Sequence, residues 1–255
     1  MPVAVITGAS SGIGRATAIR FAAEGYSLSL TGRDVKNLEE VVNACIATGS
    51  VDKDKVTFFA GDLSDDAVVK GLIEHTLNTL GQIDTLINSA GILTSGPVLE
   101  CDIDVYDKQM EVNVRNVVKL TRAALPEIIK AKGTIVNVSS ITGPCPFPGV
   151  AYYCMSKAAL DQFTKCLALE MAPLGVRVNA VNPGVIVTSV HLRSGMTEEA
   201  YEQFIQKGKD THALGRVGEP HEVAEAILFL ASSRSSFTTG ELLRVDGGRG
   251  IMHPR

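Results

Sequence analysis

Tyr153 and Lys157 have side chains and a spacing that suit acid–base chemistry. They lie four residues apart in a segment with helical spacing, which places both side chains on one helix face. A phenol with its ordinary pKa of about 10 is a poor base at neutral pH, but a neighbouring ammonium group favours the phenolate. The pair therefore suits reversible proton transfer, although many unrelated helices carry the same two residues at this spacing.

Ser140 precedes this pair, at the end of a short segment rich in β-branched residues. Its hydroxyl could donate a hydrogen bond to a substrate oxygen as negative charge builds there. The alternative is a structural role, since a serine that ends a strand also caps turns. We take Ser140 as a candidate partner of Tyr153 and Lys157.

Glycines recur at positions 8, 12 and 14, directly after the first apolar segment of the chain. Glycine lets backbone N–H groups approach a ligand closely, and the start of a helix attracts anions such as a pyrophosphate. The spacing G-x-x-x-G-x-G differs from the commoner G-x-G-x-x-G, and a tight strand-to-helix turn is an equally good explanation. The loop is a candidate dinucleotide site that other segments must support.

Arg33 follows the second apolar segment. Many NAD sites hold a carboxylate here, which binds the adenosine ribose hydroxyls. A guanidinium can instead pair with a 2′-phosphate, with a contact energy of about 1–4 kcal/mol near a surface. The sequence therefore predicts NADP(H) as the cofactor, with NAD(H) less favoured; an ordinary solvated loop arginine is the alternative.

Further candidate cofactor contacts follow the later apolar segments. Asp62 and Leu63 come after the third segment, and residues 88–91 come after the fourth. In open α/β sheets, ligands bind beside the carboxyl ends of the strands. Pro183-Gly184 and Thr188 follow the sixth segment, and the same rule predicts that this stretch holds a nicotinamide carboxamide.

An alternation of strands and helices is predicted to position these residues. Strands are predicted at 3–7, 27–31, 56–60, 85–88, 134–139, 177–181 and 242–245, each apolar enough to be buried on both faces. Helices are predicted between them at 14–24, 36–47, 66–80, 105–130, 151–172 and 219–231. Such alternation implies right-handed crossovers and a parallel sheet.

The 255 residues are predicted to form one domain, 1–255, because neither a repeat nor a linker divides the chain. The only long irregular stretch is predicted at about 187–218, with a helical piece at 198–207. We interpret this stretch as a substrate-loop insertion that could close as a mobile lid.

Composition and charge narrow the classes of function. With 45% hydrophobic and 20% charged residues, the chain can bury a core without disulfides or a structural metal. A formal net charge of −4 gives no broad basic field, so nucleic acid and anionic membranes are not expected partners. Five scattered cysteines and the lack of a signal peptide or bilayer-spanning run predict a cytoplasmic location.

Taken together, the motifs resemble the classical short-chain dehydrogenase/reductase family. The resemblance rests on T-G-x-x-x-G-x-G at 7–14, N-S-A-G at 88–91, Asn113, Ser140, Y-x-x-x-K at 153–157 and P-G at 183–184. It covers nearly the whole chain and implies an α/β fold, a Rossmann-type three-layer sandwich with a seven-stranded parallel sheet in the order 3-2-1-4-5-6-7. It also implies a homotetramer, with a dimer as the alternative.

The resemblance also implies roles for individual residues. Tyr153 would be the general acid/base, Ser140 would bind the substrate oxygen, and Asn113 would hold a proton-relay water. Lys157 would bind the nicotinamide ribose and lower the pKa of Tyr153. The implied cofactor contacts are Gly8, Ser10, Ser11, Gly12, Ile13, Gly14, Arg33, Asp62, Leu63, Asn88, Ser89, Ala90, Gly91, Tyr153, Lys157, Pro183, Gly184, Ile186 and Thr188. Ser89 departs from the family, which usually carries a second asparagine there.

The substrate pocket is predicted to be mainly apolar, with Leu93, Cys145, Phe147 and Val190 as lining residues. This composition favours a lipophilic ketone or secondary alcohol, for example a 3-oxoacyl or steroid-like compound. A sugar or polyol dehydrogenase is one alternative, and a non-enzymatic dinucleotide sensor or scaffold is another. No metal site is predicted, because His191 has no carboxylate or cysteine at ligand spacing.

Overall fold

A seven-stranded sheet forms the centre of the protein in the computed structural model, which describes residues 1–252. The strands are β1 Val3–Thr7, β2 Ser27–Gly32, β3 Val56–Ala60, β4 Thr85–Asn88, β5 Thr134–Val138, β6 Arg177–Pro183 and β7 Leu242–Val245. All neighbouring strands are parallel, and their order is β3-β2-β1-β4-β5-β6-β7. The predicted fold class and strand order are therefore confirmed.

Helices cover both faces of this sheet. They are α1 Gly12–Ala23, α2 Val35–Ile46, α3 Asp66–Leu80, α4 Ile103–Met110, α5 Asn116–Ala131, α6 Ala151–Met171, α7 Val190–Arg193, α8 Glu198–Gln206, α9 Gly208–Thr211 and α10 Pro220–Ala231. Helices α1, α2 and α10 pack on one face, and α3, α5 and α6 pack on the other. Because both faces are covered, β1, β4 and β5 are buried along their whole length.

The prediction of one continuous helix at 105–130 is wrong in one respect, because a π-helical turn, Glu111–Arg115, divides the segment into α4 and α5. In this turn the Asn116 N–H donates to the Glu111 carbonyl, five residues back instead of four. The side chain of Asn113, which is fully buried, reaches the loop after β4. There its Oδ1 accepts from the Ile92 N–H at 2.8 Å, and its Nδ2 donates to the Ile92 carbonyl at 2.9 Å.

Other boundaries also differ from the prediction. Strand β6 continues to Pro183, whose carbonyl accepts a hydrogen bond from the Ile141 N–H at 2.9 Å. Residues 89–102 form a second long stretch without a regular strand or helix, so 187–218 is not the only one. The stretch at 187–218 holds α7, α8 and α9. Within residues 1–252, no helix combines the length and apolarity that crossing a bilayer requires.

Candidate active site

A cavity of about 870 Å³ lies at the carboxyl ends of the strands, next to the reversal of strand order between β1 and β4. Open α/β sheets bind their ligands at this place. The predicted site residues that line the cavity are Gly8, Ser10, Ser11, Gly12, Ile13, Gly14, Arg33, Asp62, Leu63, Ser89, Ala90, Gly91, Leu93, Ser140, Phe147, Tyr153, Lys157, Pro183, Gly184, Ile186, Thr188 and Val190. Residues far apart in the sequence thus converge on one space.

Asn88 and Asn113, two predicted site residues, lie behind the cavity wall. The Asn88 Nδ2 donates to the Asn137 Oδ1 at 2.8 Å, within the buried sheet. The Asn113 Nδ2 donates to the Ser156 Oγ at 3.0 Å, in addition to its bonds with Ile92. Both side chains therefore support lining segments and do not face the cavity themselves.

The prediction that Cys145 lines the pocket is wrong. The Cys145 N–H donates to the Ile141 carbonyl at 3.0 Å, which closes a turn after β5. This turn directs the thiol to the Gly250 carbonyl, 3.8 Å away, and not into the cavity. Phe147, two residues later, does line it.

The glycine loop is shaped to bring backbone against a ligand. Gly8 and Gly12 have φ values of 62° and 53°, in the left-handed region that favours glycine. A Cβ on Gly14 would overlap the Gly8 carbonyl, so the loop and the start of α1 are in direct backbone contact. Ser11 precedes α1 without capping it through its side chain, which leaves first-turn N–H groups for an anion. These features fit a dinucleotide pyrophosphate.

Thr7, which the sequence analysis placed in the motif at 7–14 but not among the predicted cofactor contacts, fixes the loop after β4 next to the glycine loop. Its hydroxyl oxygen accepts hydrogen bonds from the N–H groups of Ser89 and Ala90, both at 2.9 Å. These bonds use only the backbone of residue 89, so a serine can stand where the resemblance implies a second asparagine. The last residue of β1 therefore joins two walls of the cavity.

Arg33 and Asp62 lie together at one end of the cavity. The Arg33 Nη1 is 3.9 Å from the Asp62 Oδ2, and both side chains are exposed. The pKa of Asp62 is lowered mainly by a hydrogen bond from the Ser64 N–H, with a smaller contribution from Arg33. An exposed pair at this distance holds Arg33 weakly, so its guanidinium remains available to a ligand.

Tyr153, Lys157 and Ser140 lie close together in the cavity wall. The Lys157 Nζ lies 5.6 Å from the centroid of the Tyr153 ring and donates to the Val138 carbonyl at 2.9 Å. Lys157 and Ser140 are both buried, at 4% and 8% exposure. The predicted convergence of a phenol, an ammonium group and a hydroxyl is therefore present in the structure.

Burial raises the pKa of Tyr153 to about 12, opposed in part by its hydrogen bond with the Ser140 hydroxyl. The resemblance implied the opposite direction. Burial also lowers the pKa of Lys157 to about 8, against the effect of the Asp161 carboxylate, so this side chain remains mostly an ammonium ion at neutral pH. With its raised pKa, Tyr153 is a protonated phenol at neutral pH, which is the state needed to give a proton to a substrate oxygen.

The lowered pKa of Lys157 predicts a pH dependence of nicotinamide-dinucleotide binding, with Lys157 in the ribose-binding role that the resemblance implies. Below about pH 8 the ammonium group can donate to ribose hydroxyls, and above it the neutral amine is a weaker donor. The dissociation constant of the reduced dinucleotide, measured by nucleotide fluorescence, should therefore be constant near neutral pH and rise above pH 8. Lys157→Met should bind more weakly and lack this rise. An identical pH profile in both proteins would contradict the prediction.

The substrate end of the cavity lies between the loop after β5 and residues 187–218. Sequence reasoning missed Met196, Phe204 and Arg249, which all line it. Arg249 follows the last residue of β7 by four positions, so the rule about carboxyl strand ends could have found it. His191 also lines this end, and its ring centroid lies 4.6 Å from that of Phe204.

The pKa of His191 is lowered by burial and, to a smaller extent, by the charge of Arg249. The ring is therefore neutral at neutral pH. Among residues 1–252, no group of three or more histidine, cysteine, aspartate or glutamate side chains is placed to hold a metal ion.

The fold and the site together define a dinucleotide-binding oxidoreductase, and the chain belongs to the short-chain dehydrogenase/reductase family. A family model described as enoyl-(acyl carrier protein) reductase matches residues 8–249. The family binds NAD or NADP and acts on carbonyl and CH–OH groups. This assignment confirms the resemblance seen in the sequence.

Similar proteins include enzymes with different substrates. The meso-2,3-butanediol dehydrogenase of Serratia marcescens is 37% identical over 246 residues, covering 96% of this chain and 93% of that one. The 3-oxoacyl-(acyl-carrier-protein) reductase of Thermotoga maritima is 38% identical over 247 residues, covering 96% of each. A Caenorhabditis elegans short-chain dehydrogenase/reductase of unknown function, solved with cofactor, has a TM-score of 0.92 at 35% identity, covering 99% and 96% of the two chains.

Proposed function

We propose that this protein is an NADP(H)-dependent oxidoreductase that interconverts a ketone and a secondary alcohol. The observation that carries the proposal is the convergence of Tyr153, Lys157 and Ser140 on a cavity that the glycine loop also lines. A non-enzymatic sensor would need the dinucleotide cradle alone. The presence of all three groups beside it supports an enzyme.

The proton chemistry follows from the protonation states. In reduction, Tyr153 donates its proton to the carbonyl oxygen as that oxygen gains charge, and Ser140 donates a hydrogen bond to the same oxygen. Lys157 binds the ribose hydroxyls. Its ammonium charge, present below about pH 8, limits the cost of the phenolate that remains. The nicotinamide supplies the hydride when it is bound.

The choice of NADP(H) rests on the adenosine end of the cavity. Arg33 lines this end, whereas the adjacent carboxylate, Asp34, does not. Asp34 caps α2 instead, with one oxygen accepting from the Asn37 N–H at 3.0 Å and the other from the Asn37 Nδ2 at 2.7 Å. A ribose 2′-phosphate thus meets a cation and no competing anion from the end of β2.

Arg33→Asp is expected to weaken NADPH binding about tenfold or more and to spare or improve NADH binding. Dissociation constants for both nucleotides, measured by fluorescence titration, test this. Lys53→Asp is a control, because Lys53 is exposed, precedes β3 at the edge of the sheet opposite the cavity and does not line the cavity. Equal catalytic efficiency of the natural protein with NADPH and NADH would contradict the proposed preference.

The substrate is proposed to be lipophilic, because apolar side chains line the substrate end of the cavity, namely Leu93, Phe147, Val190, Met196 and Phe204. A panel of ketones, sugars, polyols and steroids, followed by nicotinamide absorbance, separates this class from the sugar or polyol alternative. Faster turnover of sugars or polyols than of apolar ketones would favour that alternative.

We further propose a cytoplasmic homotetramer. The five cysteines are all free thiols, as expected in a reducing compartment. Exposed apolar side chains on α6 and α10 and before β7, namely Leu169, Phe229 and Phe237, are candidates for burial between copies of the chain. Light scattering during size-exclusion chromatography measures the mass of the assembly, which is then compared with the 27.0 kDa of one protomer.

A further inference from the structure

The charges that line the cavity are strongly unbalanced. The cationic lining residues are Arg33, Lys108, Lys157, Arg193 and Arg249, while the only carboxylate among the described lining residues is that of Asp62. A dinucleotide diphosphate would account for part of this excess. The remaining cations therefore indicate what else the cavity binds.

Three of these cations already have a partner or an assigned ligand. Arg33 lies beside Asp62 at the adenosine end. The Lys108 Nζ is 2.9 Å from the Glu111 Oε2, and the Lys157 Nζ donates to the Val138 carbonyl. Arg193 and Arg249 remain, and of these Arg193 is exposed whereas Arg249 is partly buried.

The guanidinium of Arg249 is held in a defined position. It belongs to the short turn Arg249–Ile251 after β7, and its Nη1 donates to the Thr211 Oγ1 at 2.7 Å. Its central carbon lies 5.1 Å from the centroid of the Phe147 ring. Contacts from α9 and from the loop after β5 thus hold this group in place.

Arg249 has no carboxylate within 4.0 Å in the described part of the chain. The nearest acidic residue in sequence, Asp246, instead accepts from the N–H groups of Gly248 at 3.0 Å and Gly250 at 2.7 Å. Burial lowers the pKa of Arg249, with Asp246 opposing the shift. A guanidinium offers five N–H donors, and Thr211 takes one of them.

We propose that Arg249 binds a carboxylate group of the substrate, so that the substrate is an apolar ketone or secondary alcohol that also carries a carboxylate. This inference rests on the proposed function and narrows its substrate class. A carboxylate matches the planar guanidinium with two parallel hydrogen bonds, and the side chains of Phe147, Met196 and Phe204 accommodate the apolar part.

The first test compares oxo acids with their methyl esters. A series in which the distance between ketone and carboxylate varies is assayed with NADPH, and kcat/KM is measured for each acid and its ester. At least one acid should exceed its ester about tenfold or more, because the ester lacks the charge that Arg249 pairs with. Esters that match or exceed every acid would overturn the proposal.

The second test assigns the preference to Arg249. Arg249→Gln should remove the preference for the acid without changing the dissociation constant of NADPH. Arg249→Lys, which keeps the charge but loses the planar fork, should retain part of it. Arg193→Gln removes an exposed charge from the same cavity and should leave the preference unchanged. A preference that survives Arg249→Gln, or that disappears in Arg193→Gln, would refute the assignment.

The third test needs no turnover. Calorimetric titration of the NADPH-bound protein with hexanoate and with hexanamide should show tighter binding of the carboxylate, and the difference should vanish in Arg249→Gln. Equal binding of both probes to the natural protein would overturn the inference, whatever the assays show. Absence of turnover for every ketone would instead reject the proposed function, so the two failures are distinguishable. Thermal unfolding of each variant verifies that it is folded.

Discussion

Tyr153→Phe is expected to lower kcat for ketone reduction about 10³-fold and to leave NADPH binding unchanged. The substitution removes only the hydroxyl that gives the proton, and the ring still fills its place in the cavity wall. With a pKa of about 12, the phenol is protonated throughout the neutral range, so the loss should be similar from pH 6 to pH 9. Steady-state assays and fluorescence titration measure the two quantities separately.

Tyr152→Phe is the matched control for this experiment. Tyr152 is the neighbouring tyrosine on α6, but its ring packs edge-on against Tyr106 at a centroid distance of 5.5 Å and does not line the cavity. The control should keep nearly full activity. Comparable activity of Tyr153→Phe and Tyr152→Phe would show that the proton comes from another group.

Gly14→Ala is expected to weaken NADPH binding about tenfold to hundredfold and to lower the free energy of unfolding by about 1–3 kcal/mol. The added methyl group would meet the carbonyl of Gly8 and the N–H of Ala9, which are both backbone. Backbone cannot swing aside as a flexible side chain can, so the glycine loop must move away from α1. Fluorescence titration and urea unfolding measure the two effects.

Gly49→Ala separates this local effect from a general cost of replacing glycine. Gly49 has a φ of 73°, but no atom lies within 4 Å of the position that its Cβ would take. Its replacement should cost about 1 kcal/mol of stability and leave NADPH binding unchanged. Unaltered NADPH binding in Gly14→Ala would mean that the loop does not contact the dinucleotide.

The fold was predictable because its strands are parallel and buried on both faces. Such strands appear in the sequence as short continuous apolar runs, for example Val3–Thr7, and the helices between them determine the handedness of each crossover. Polar residues that follow these runs then collect at one edge of the sheet. This is why the positions of Arg33, Asp62 and Ser140 in a common cavity could be expected from the sequence.

Other features depend on contacts that no local pattern encodes. Whether Cys145 or Phe147 faces the cavity depends on a turn closed by one backbone hydrogen bond. The pKa of Tyr153 is raised because its ring is buried. The four-residue spacing between Tyr153 and Lys157 carries no information about that burial. Arg249 could have been found from its position after β7, but its stacking on Phe147 arises only in three dimensions.

The five residues of the π-helical turn, Glu111–Arg115, separate α4 from α5. A regular helix advances about 100° per residue. Deletion of one residue in this turn would let ordinary i to i−4 bonding continue through the segment, which favours the helix itself, but it would rotate one end against the other by about that angle. Asn113 and the side chains of α5 could not then both keep their present partners. The length of this segment is therefore constrained by the active-site wall and not by helix stability, and insertions or deletions should be tolerated far less here than in the mostly exposed stretch at 98–102.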